Sequence, residues 1–84
     1  MYTVQFTENA ERQLKKLEKN IQARIINILE RSKIRPEAYF QRLVGDKAYK
    51  LRVGDYRIIA DIENNQLIIL VLRVGHRKNI YDKT

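Results

Sequence analysis

The chain contains no cysteine and no tryptophan, and only one histidine and one proline among its 84 residues. Without cysteine it can form neither a disulfide framework nor a thiolate metal site, and one histidine is too few for a histidine-based one. No apolar run approaches the ~20 residues that span a bilayer, and the opening MYTVQFTENAERQ lacks the apolar centre of a signal peptide. We therefore expect a cytoplasmic protein that uses no metal or cofactor and does not enter a membrane.

Acidic residues are scarce relative to basic ones. The chain has 17 Lys and Arg against 10 Asp and Glu, which gives a formal net charge of +7. Such an excess favours a polyanionic partner, with nucleic acid first and an anionic membrane surface second, although a solvated basic surface is the simpler alternative. The length fits one domain, residues 1–84, with a modest core and a shallow site on one of its faces.

Apolar periodicity predicts an α+β fold with the element order β-αα-ββββ. Thr7 is the predicted N-cap of the first helix, and Asn20 marks the joint of an αα-hairpin. Beyond Pro36 the period changes from helical to two. We expect one antiparallel sheet with the helix pair on one face. The predicted strands are 2–6, 40–44, 48–53, 56–62 and 67–74, and the predicted helices are 8–18 and 21–33.

Alternation along two neighbouring strands collects cations on one face of the predicted sheet. A two-residue turn at Gly54-Asp55 would place Arg52 directly opposite Arg57, with Lys50 two residues along the same face. Like charges directly opposite each other destabilise a sheet by a few tenths of a kcal/mol. The three side chains are either unrelated surface cations or an anion site whose repulsion is relieved by phosphate, and we favour the second interpretation. The other face of these strands is predicted to be core: Tyr49, Leu51, Val53, Tyr56, Ile58, Ala60 and Ile62.

The last strand has two possible registers. A two-residue turn at 64–65 would put Arg73 on the core face, whereas a three-residue loop at 64–66 would put Arg73 beside Arg57. The second places Ile68, Leu70, Leu72 and Val74 in the core, and we prefer it because an unpaired core arginine is expensive. It also leaves an apolar strip of Ile59, Ile69 and Val71 on the solvent face, which needs a cover from a partner segment or from the chain's own C-terminus.

The end of this strand carries groups suited to RNA cleavage. The strand is predicted to exit at Gly75, so that His76, Arg77 and Lys78 follow near the cationic strands. Cleavage needs a base, positive charge around the phosphate and an acid for the leaving oxygen. Arginine supplies charge and hardly ever a proton, so the proton-transfer candidates are Lys50, His76 and Tyr81.

Several of these assignments have simpler alternatives. Tyr81 could stack on a base or pack, and His76 could be a bystander. Asp61, the one acid on the cationic face, is expected to pair with a neighbouring cation, which argues against a metal-dependent mechanism. Lysines 15, 16 and 19 form either a solvated face or a docking patch for a larger anionic body.

Two stretches resemble a known family. YKLRVGDYRIIADIENNQLIILVLRVGHRKNIYDK, residues 49–83, resembles the C-terminal half of RelE-type toxins of bacterial and archaeal toxin–antitoxin systems. VQFTENAERQLKKL, residues 4–17, is similar to their opening strand and first helix. The resemblance implies a ribosome-dependent endonuclease that cuts mRNA in the ribosomal A site by 2′-oxygen attack without a metal. It also implies a RelB-type antitoxin as partner.

The resemblance extends to individual residues. It implies a catalytic set of Lys50, Arg52, Arg57, Arg77 and Tyr81. We add candidate RNA contacts at Lys47, Arg73, His76 and Lys78, and a candidate ribosome-docking patch at Lys15, Lys16 and Lys19. Some members carry a second lysine at the place of Arg52, so the general-base role falls on Lys50. The alternatives are a ParE-type toxin, which shares the fold and poisons DNA gyrase, and an RNA-binding module without chemistry.

Overall fold

A computed structural model describes residues 1–45 and 47–76 and confirms the α+β class and the predicted order of elements. The first helix ends earlier than predicted, and Asn20 lies in the first turn of the second helix instead of at the joint. Neither helix is long and apolar enough to cross a membrane. The elements are β1 (Thr3–Phe6), α1 (Glu8–Lys15), α2 (Lys19–Ser32), a 3₁₀ turn (Pro36–Ala38), β2 (Gln41–Arg42), β3 (Tyr49–Val53), β4 (Tyr56–Glu63) and β5 (Ile68–His76).

The five strands form one sheet in the order β1-β5-β4-β3-β2. Strands β2 to β5 are antiparallel and follow chain order, as predicted. The sheet is not antiparallel throughout, however, because β1 lies parallel to β5 at the other edge. Local periodicity carries no information on the relative direction of two strands separated by most of the chain. Because β1 and β2 are the two edge strands, the helices that connect them cross one face of the sheet from edge to edge.

The main core lies between the helices and the sheet. The predicted inward faces of β3 and β4 are confirmed, since Leu51, Val53, Ile58 and Ala60 are all buried there. The helices contribute the apolar positions that recur at spacings of three and four, which is the pattern of a helix with one buried side. The buried cluster consists of Ala10, Leu14, Ile25, Leu29, Phe40, Leu51, Val53, Ile58, Ala60, Ile69, Val71 and Val74.

A β-bulge in β5 combines the two registers considered for this strand. Ala60 pairs with Val71, whereas Ile59 pairs with Arg73, so Leu72 is the extra residue. The loop between β4 and β5, residues 64–67, has four residues. An even-numbered loop assigns the residues of β5 to the same sides of the sheet as a two-residue turn would, so Ile69 and Val71 face the helices. The bulge then reverses this assignment. The preferred register is therefore wrong before Leu72 and right after it, where Val74 is buried and Arg73 faces outward.

The predicted apolar strip on the solvent face is wrong. Ile69 and Val71 belong to the main core, and Ile59 is fully buried on the other side of the sheet in a second cluster with Leu43. Ala48 and Leu72 complete this cluster. The segment after β2 folds back over Ile59, and the Leu43 N–H donates to the Ala48 carbonyl at 3.0 Å. The outer face of the sheet thus has a small apolar floor of its own.

Helix α1 is attached to the bulge through side-chain hydrogen bonds. Thr7 caps the helix as predicted, since its Oγ1 accepts from the Ala10 N–H at 3.1 Å. The same hydroxyl donates to the Leu72 carbonyl at 3.3 Å. Gln13 Oε1 accepts from the Val74 N–H at 2.8 Å. These contacts satisfy backbone groups of β5 beyond the point where β1 ends, so α1 takes the place of a neighbouring strand there.

Candidate nucleic-acid interface

Cross-strand pairing arranges the outward side chains of the sheet in two rows. The first row runs Gln41, Lys50, Ile59, Arg73 across β2, β3, β4 and β5. The second runs Arg52, Arg57, Gly75. Neighbouring strands are about 4.8 Å apart and the two rows about 7 Å apart. The structure therefore brings four predicted residues, Lys50, Arg52, Arg57 and Arg73, onto one surface, which we call the cationic face.

The β3–β4 turn sets this arrangement. Gly54 has φ of 60° at the first central position of the two-residue turn, which is the position that a type II′ turn reserves for glycine. The turn pairs Val53 with Tyr56 and places Arg52 opposite Arg57, as predicted. A Cβ on Gly54 would also lie 3.4 Å from Arg24 Nη2. The positive φ thus favours glycine at position 54 and preserves the register of the arginine pair, whereas the contact with Arg24 is an ordinary van der Waals distance.

The cationic face holds positive charge near an apolar floor. Arg52 is exposed, whereas Lys50, Arg57 and Arg73 are half-buried. Asp61 lies on the same side of the sheet opposite Leu70, but forms no ion pair within the part of the chain that the structure describes. No cation among the described residues thus provides the partner that was predicted for Asp61. An ion pair that the described residues do form, Lys33 Nζ with Glu30 Oε2 at 2.9 Å, lies at the end of α2.

A pocket of roughly 200 Å³ opens beside this charge. Lys50, Arg52 and Arg57 contribute to its wall, together with Tyr39 and Gln41, which sequence reasoning missed. Alternation along the chain puts Gln41 on the same side of the sheet as Leu43. Its pairing with Lys50, however, depends on the conformation of the loop between β2 and β3, which cannot be predicted from the sequence. Tyr39 precedes the strand, after the 3₁₀ turn, and nothing in its neighbours indicates where its ring lies.

Lys47 and the helix lysines do not line the pocket beside Lys50, Arg52 and Arg57. Lys47 is exposed on a second, larger cavity of about 640 Å³, lined also by Arg42, Leu43, Val44 and Gly45. Lys15 and Lys16 are exposed at the end of α1, and Lys19 is exposed at the start of α2. These three lysines therefore surround the joint between the helices and do not extend the cationic face.

His76 does not join the cationic face. Strand β5 continues through His76 instead of ending at Gly75, and His76 pairs with Tyr56. Their rings meet edge to face, with centroids 5.4 Å apart and an interplanar angle of 77°. Paired residues share a side of the sheet, so His76 lies on the helix side with Tyr56. His76 therefore lies next to a cationic strand, as predicted, but on the side of the sheet opposite the cationic face. Arg77, Lys78 and Tyr81 lie outside the described residues.

The geometry suits the binding of a phosphodiester. Two guanidinium groups on directly opposed residues can each donate to non-bridging oxygens of one phosphate, and an arginine fork binds such oxygens in pairs. Lys50 adds a third positive charge and can also transfer a proton. The face therefore combines a clamp for anionic oxygen with a group able to act in acid–base chemistry.

Comparison with known proteins gives a consistent result. A family model described as the ParE toxin of the type II toxin–antitoxin system parDE matches residues 4–81. The chain is 33% identical over 84 residues to toxin RelG of Mycobacterium tuberculosis, an alignment that covers 95% of each chain.

Solved structures agree with this assignment. The chain superposes on the toxin–antitoxin complex RelBE2 of Mycobacterium tuberculosis with a TM-score of 0.78 and 32% identity, over 90% of this chain and 98% of that one. It also superposes on the RelB–RelE complex of Methanococcus jannaschii with a TM-score of 0.74 and 29% identity, over 93% and 95%.

Fold, cationic face and relatives together define the class of toxins from type II toxin–antitoxin systems. Within that class, the chain belongs to the RelE/ParE family. The resemblance seen in residues 49–83 and 4–17 is thereby confirmed.

Proposed function

We propose that this toxin is a ribosome-dependent mRNA endonuclease that acts in the cytoplasm as a single domain, residues 1–84. The observation that carries the proposal is the cationic face, where Arg52 and Arg57 lie directly opposite each other beside Lys50 and a pocket of roughly 200 Å³. A toxin that only bound a protein would have no need to hold like charges together against their repulsion. A phosphate between them converts that repulsion into binding energy.

The proposed reaction is attack of the 2′-oxygen on the adjacent phosphate, with release of the 5′-oxygen of the next nucleotide. Arg52 and Arg57 stabilise the charge that develops on the non-bridging oxygens. Lys50 lies beside them and is the proposed general base for the 2′-hydroxyl. Arg77 and Tyr81 are proposed members of the same site on the resemblance alone. No step in this scheme requires a metal ion.

The proposed partner is a RelB-type antitoxin. The relatives solved from Mycobacterium tuberculosis and Methanococcus jannaschii are toxin–antitoxin complexes. Of the two docking surfaces considered from the sequence, the strip of Ile59, Ile69 and Val71 is buried. The outer side of the helix pair, where Ile26 is 37% exposed, is the remaining one.

The decisive experiment is induced expression in a bacterial host followed by primer extension on an abundant mRNA. Wild type is expected to cut within translated codons and in frame. Lys50→Ala, Arg52→Ala and Arg77→Ala should each reduce cleavage by roughly 100-fold or more, the usual effect of removing an acid–base or charge-stabilising group. Arg31→Ala, which removes an exposed cation in the last turn of α2 on the helix side of the sheet, is the matched control and should cut like wild type.

A second candidate function is inhibition of DNA gyrase, which the description of the matching family model favours. Intact mRNA with arrested growth and DNA damage would support it, and Lys50→Ala would then remain toxic. Intact mRNA in healthy cells would contradict both activities for this copy and would leave either an inactive toxin or an RNA-binding module without chemistry.

A further inference from the structure

We infer that Tyr39 and Gln41 form a nucleobase-binding subsite next to the phosphate clamp, with the Tyr39 ring stacking on one base and the Gln41 amide contacting the edge of that base. The inference rests on the proposed function for the identity of the substrate, an RNA strand. It adds the part of the site that recognises a base, because the cationic face binds phosphates and carries no base information.

Tyr39 is an exposed aromatic ring held on a fixed backbone. Its side chain is 36% exposed, while the next residue, Phe40, is 4% exposed and packs in the main core. The N–H groups of Tyr39 and Phe40 donate to the Pro36 carbonyl at 2.9 and 2.8 Å. Pro36 is itself buried, and its ring fixes φ. The backbone of Tyr39 is therefore fixed on both sides, which lowers the entropy cost of ordering that backbone when the ring stacks.

The ring shares its pocket with the phosphate clamp. Tyr39 lines the same roughly 200 Å³ cavity as Arg52 and Arg57. Clefts that bury drug-sized molecules are about 300–1,000 Å³, so this one suits a single base or phosphate group. An aromatic ring beside cations is the combination by which proteins bind single-stranded nucleic acid, with stacking on the base and charge on the backbone.

Gln41 provides uncharged hydrogen-bonding groups at the same place. It pairs with Lys50 at the β2 edge of the sheet, and its side chain is exposed and lines the pocket. An amide carries both donors and an acceptor, whereas every cation around it only donates. Gln41 is thus suited to distinguish one base from another. Because it is uncharged, it adds little to the electrostatic affinity of the face for the RNA backbone.

The competing interpretation is that the Tyr39 hydroxyl donates to the phosphate and the ring binds nothing. Tyr39→Phe separates the two, since it keeps the ring and removes the hydroxyl. Stacking predicts that Tyr39→Phe behaves like wild type and that Tyr39→Ala does not. Equal losses in both variants would overturn the inference. Thermal unfolding followed by circular dichroism checks that the variants are folded.

The main test uses ribosomes programmed with a short mRNA in which each position of the A-site codon is in turn replaced by an abasic nucleotide. One abasic position should slow wild type and Tyr39→Phe by about tenfold, in line with the usual contribution of stacking on one base. Tyr39→Ala should be slower on the intact codon by a similar factor and insensitive to that abasic position. If it stays as sensitive as wild type, Tyr39 does not bind the base.

The role of Gln41 is tested with the four natural bases at the position so identified. Wild type should cut them at different rates, and Gln41→Ala should narrow the differences while keeping the response to the abasic nucleotide. An unchanged order and spread of rates in Gln41→Ala would remove Gln41 from the subsite.

Failure of the proposed function is recognised separately. If wild type cuts nothing on the ribosome, binding of an uncleavable 2′-O-methyl hexanucleotide is measured by fluorescence anisotropy, with and without an abasic centre. The subsite predicts tighter binding of the intact strand by wild type and Tyr39→Phe and equal binding of both strands by Tyr39→Ala. Equal binding of both strands by wild type overturns the inference.

Discussion

Arg52 and Arg57 show how a single pair of residues sets function against stability. The two arginines occupy directly opposed positions in the β3–β4 hairpin, where like charges repel. The turn at Gly54 gives the pair no freedom to shift register. The repulsion between the two guanidinium groups would fall if a phosphate bound between them, so this repulsion and the proposed phosphate clamp have the same origin.

Replacing either arginine should therefore remove a small unfavourable interaction. We expect a double-mutant cycle of Arg52→Gln and Arg57→Gln, measured by urea unfolding at low salt, to give a repulsive coupling of a few tenths of a kcal/mol. The coupling should fade in about 1 M salt because surface charges are then screened. A cycle on Arg52 and Arg31, which lies in α2 on the other side of the sheet, serves as control and should show no coupling. An attractive coupling between Arg52 and Arg57 would contradict the assignment.

The bulge in β5 is the element that separates the core from the cationic face. One extra residue, Leu72, allows Val71 and Val74 to face the helices while Arg73 faces outward. A bulge leaves backbone groups without ladder partners. Helix α1 supplies partners through Thr7 and Gln13. The placement of Arg73 therefore depends on a helix on the opposite side of the sheet.

Removing the Gln13 acceptor should destabilise the fold at this point. Gln13→Met keeps the approximate shape of the side chain but leaves the buried Val74 N–H without its partner, which should lower the free energy of unfolding by about 1–3 kcal/mol. Gln13→Glu retains an acceptor oxygen and should have a smaller effect. Urea unfolding measures both variants, and hydrogen exchange at the Val74 amide should accelerate in the methionine variant alone. Unchanged exchange there would show that this hydrogen bond contributes nothing.

The whole molecule presents two different surfaces. Its formal net charge of +7 spreads over both. The sheet side, however, carries Lys50, Arg52 and Arg57 around a pocket and Arg73 on the same face. The helix side carries both signs: Glu8, Glu11, Arg12 and Lys15 line one shallow cavity on α1. Attraction to RNA should therefore come mainly from the sheet side, and the overall charge should serve association from a distance.

This asymmetry predicts the salt dependence of RNA binding. Each phosphate of a single strand that a cation neutralises contributes about 0.7 to the slope of log K against log salt. Arg52→Gln should therefore flatten the slope by about 0.7 on an uncleavable oligonucleotide, whereas Arg31→Gln on the helix side, with the same change in net charge, should leave it nearly unchanged. Fluorescence anisotropy between about 50 and 300 mM salt measures both. Equal effects of the two variants would mean that binding depends on net charge alone.

Sequence reasoning worked where one local signal was sufficient. Thr7 as a cap, the turn at Gly54-Asp55 and the pairing of Arg52 with Arg57 all depend on neighbouring residues and were predicted correctly. Ile59 was predicted as exposed because strand parity assigns a side but does not reveal what covers it. Tyr39 and Gln41 were missed because their place in the pocket depends on how the segment before β3 folds back.

The amino-acid sequence by itself determined three features, because periodicity and turn chemistry act over a few residues. They are the order of elements, the register of the β3–β4 hairpin, and the placement of Lys50, Arg52 and Arg57 on one face. Only the tertiary structure decided three others: the parallel pairing of β1 with β5, the bulge at Leu72, and the position of His76 on the helix side. Each of these depends on contacts between segments about 20 to 65 residues apart in the chain, where close packing of the core selects among registers that the local pattern leaves equal.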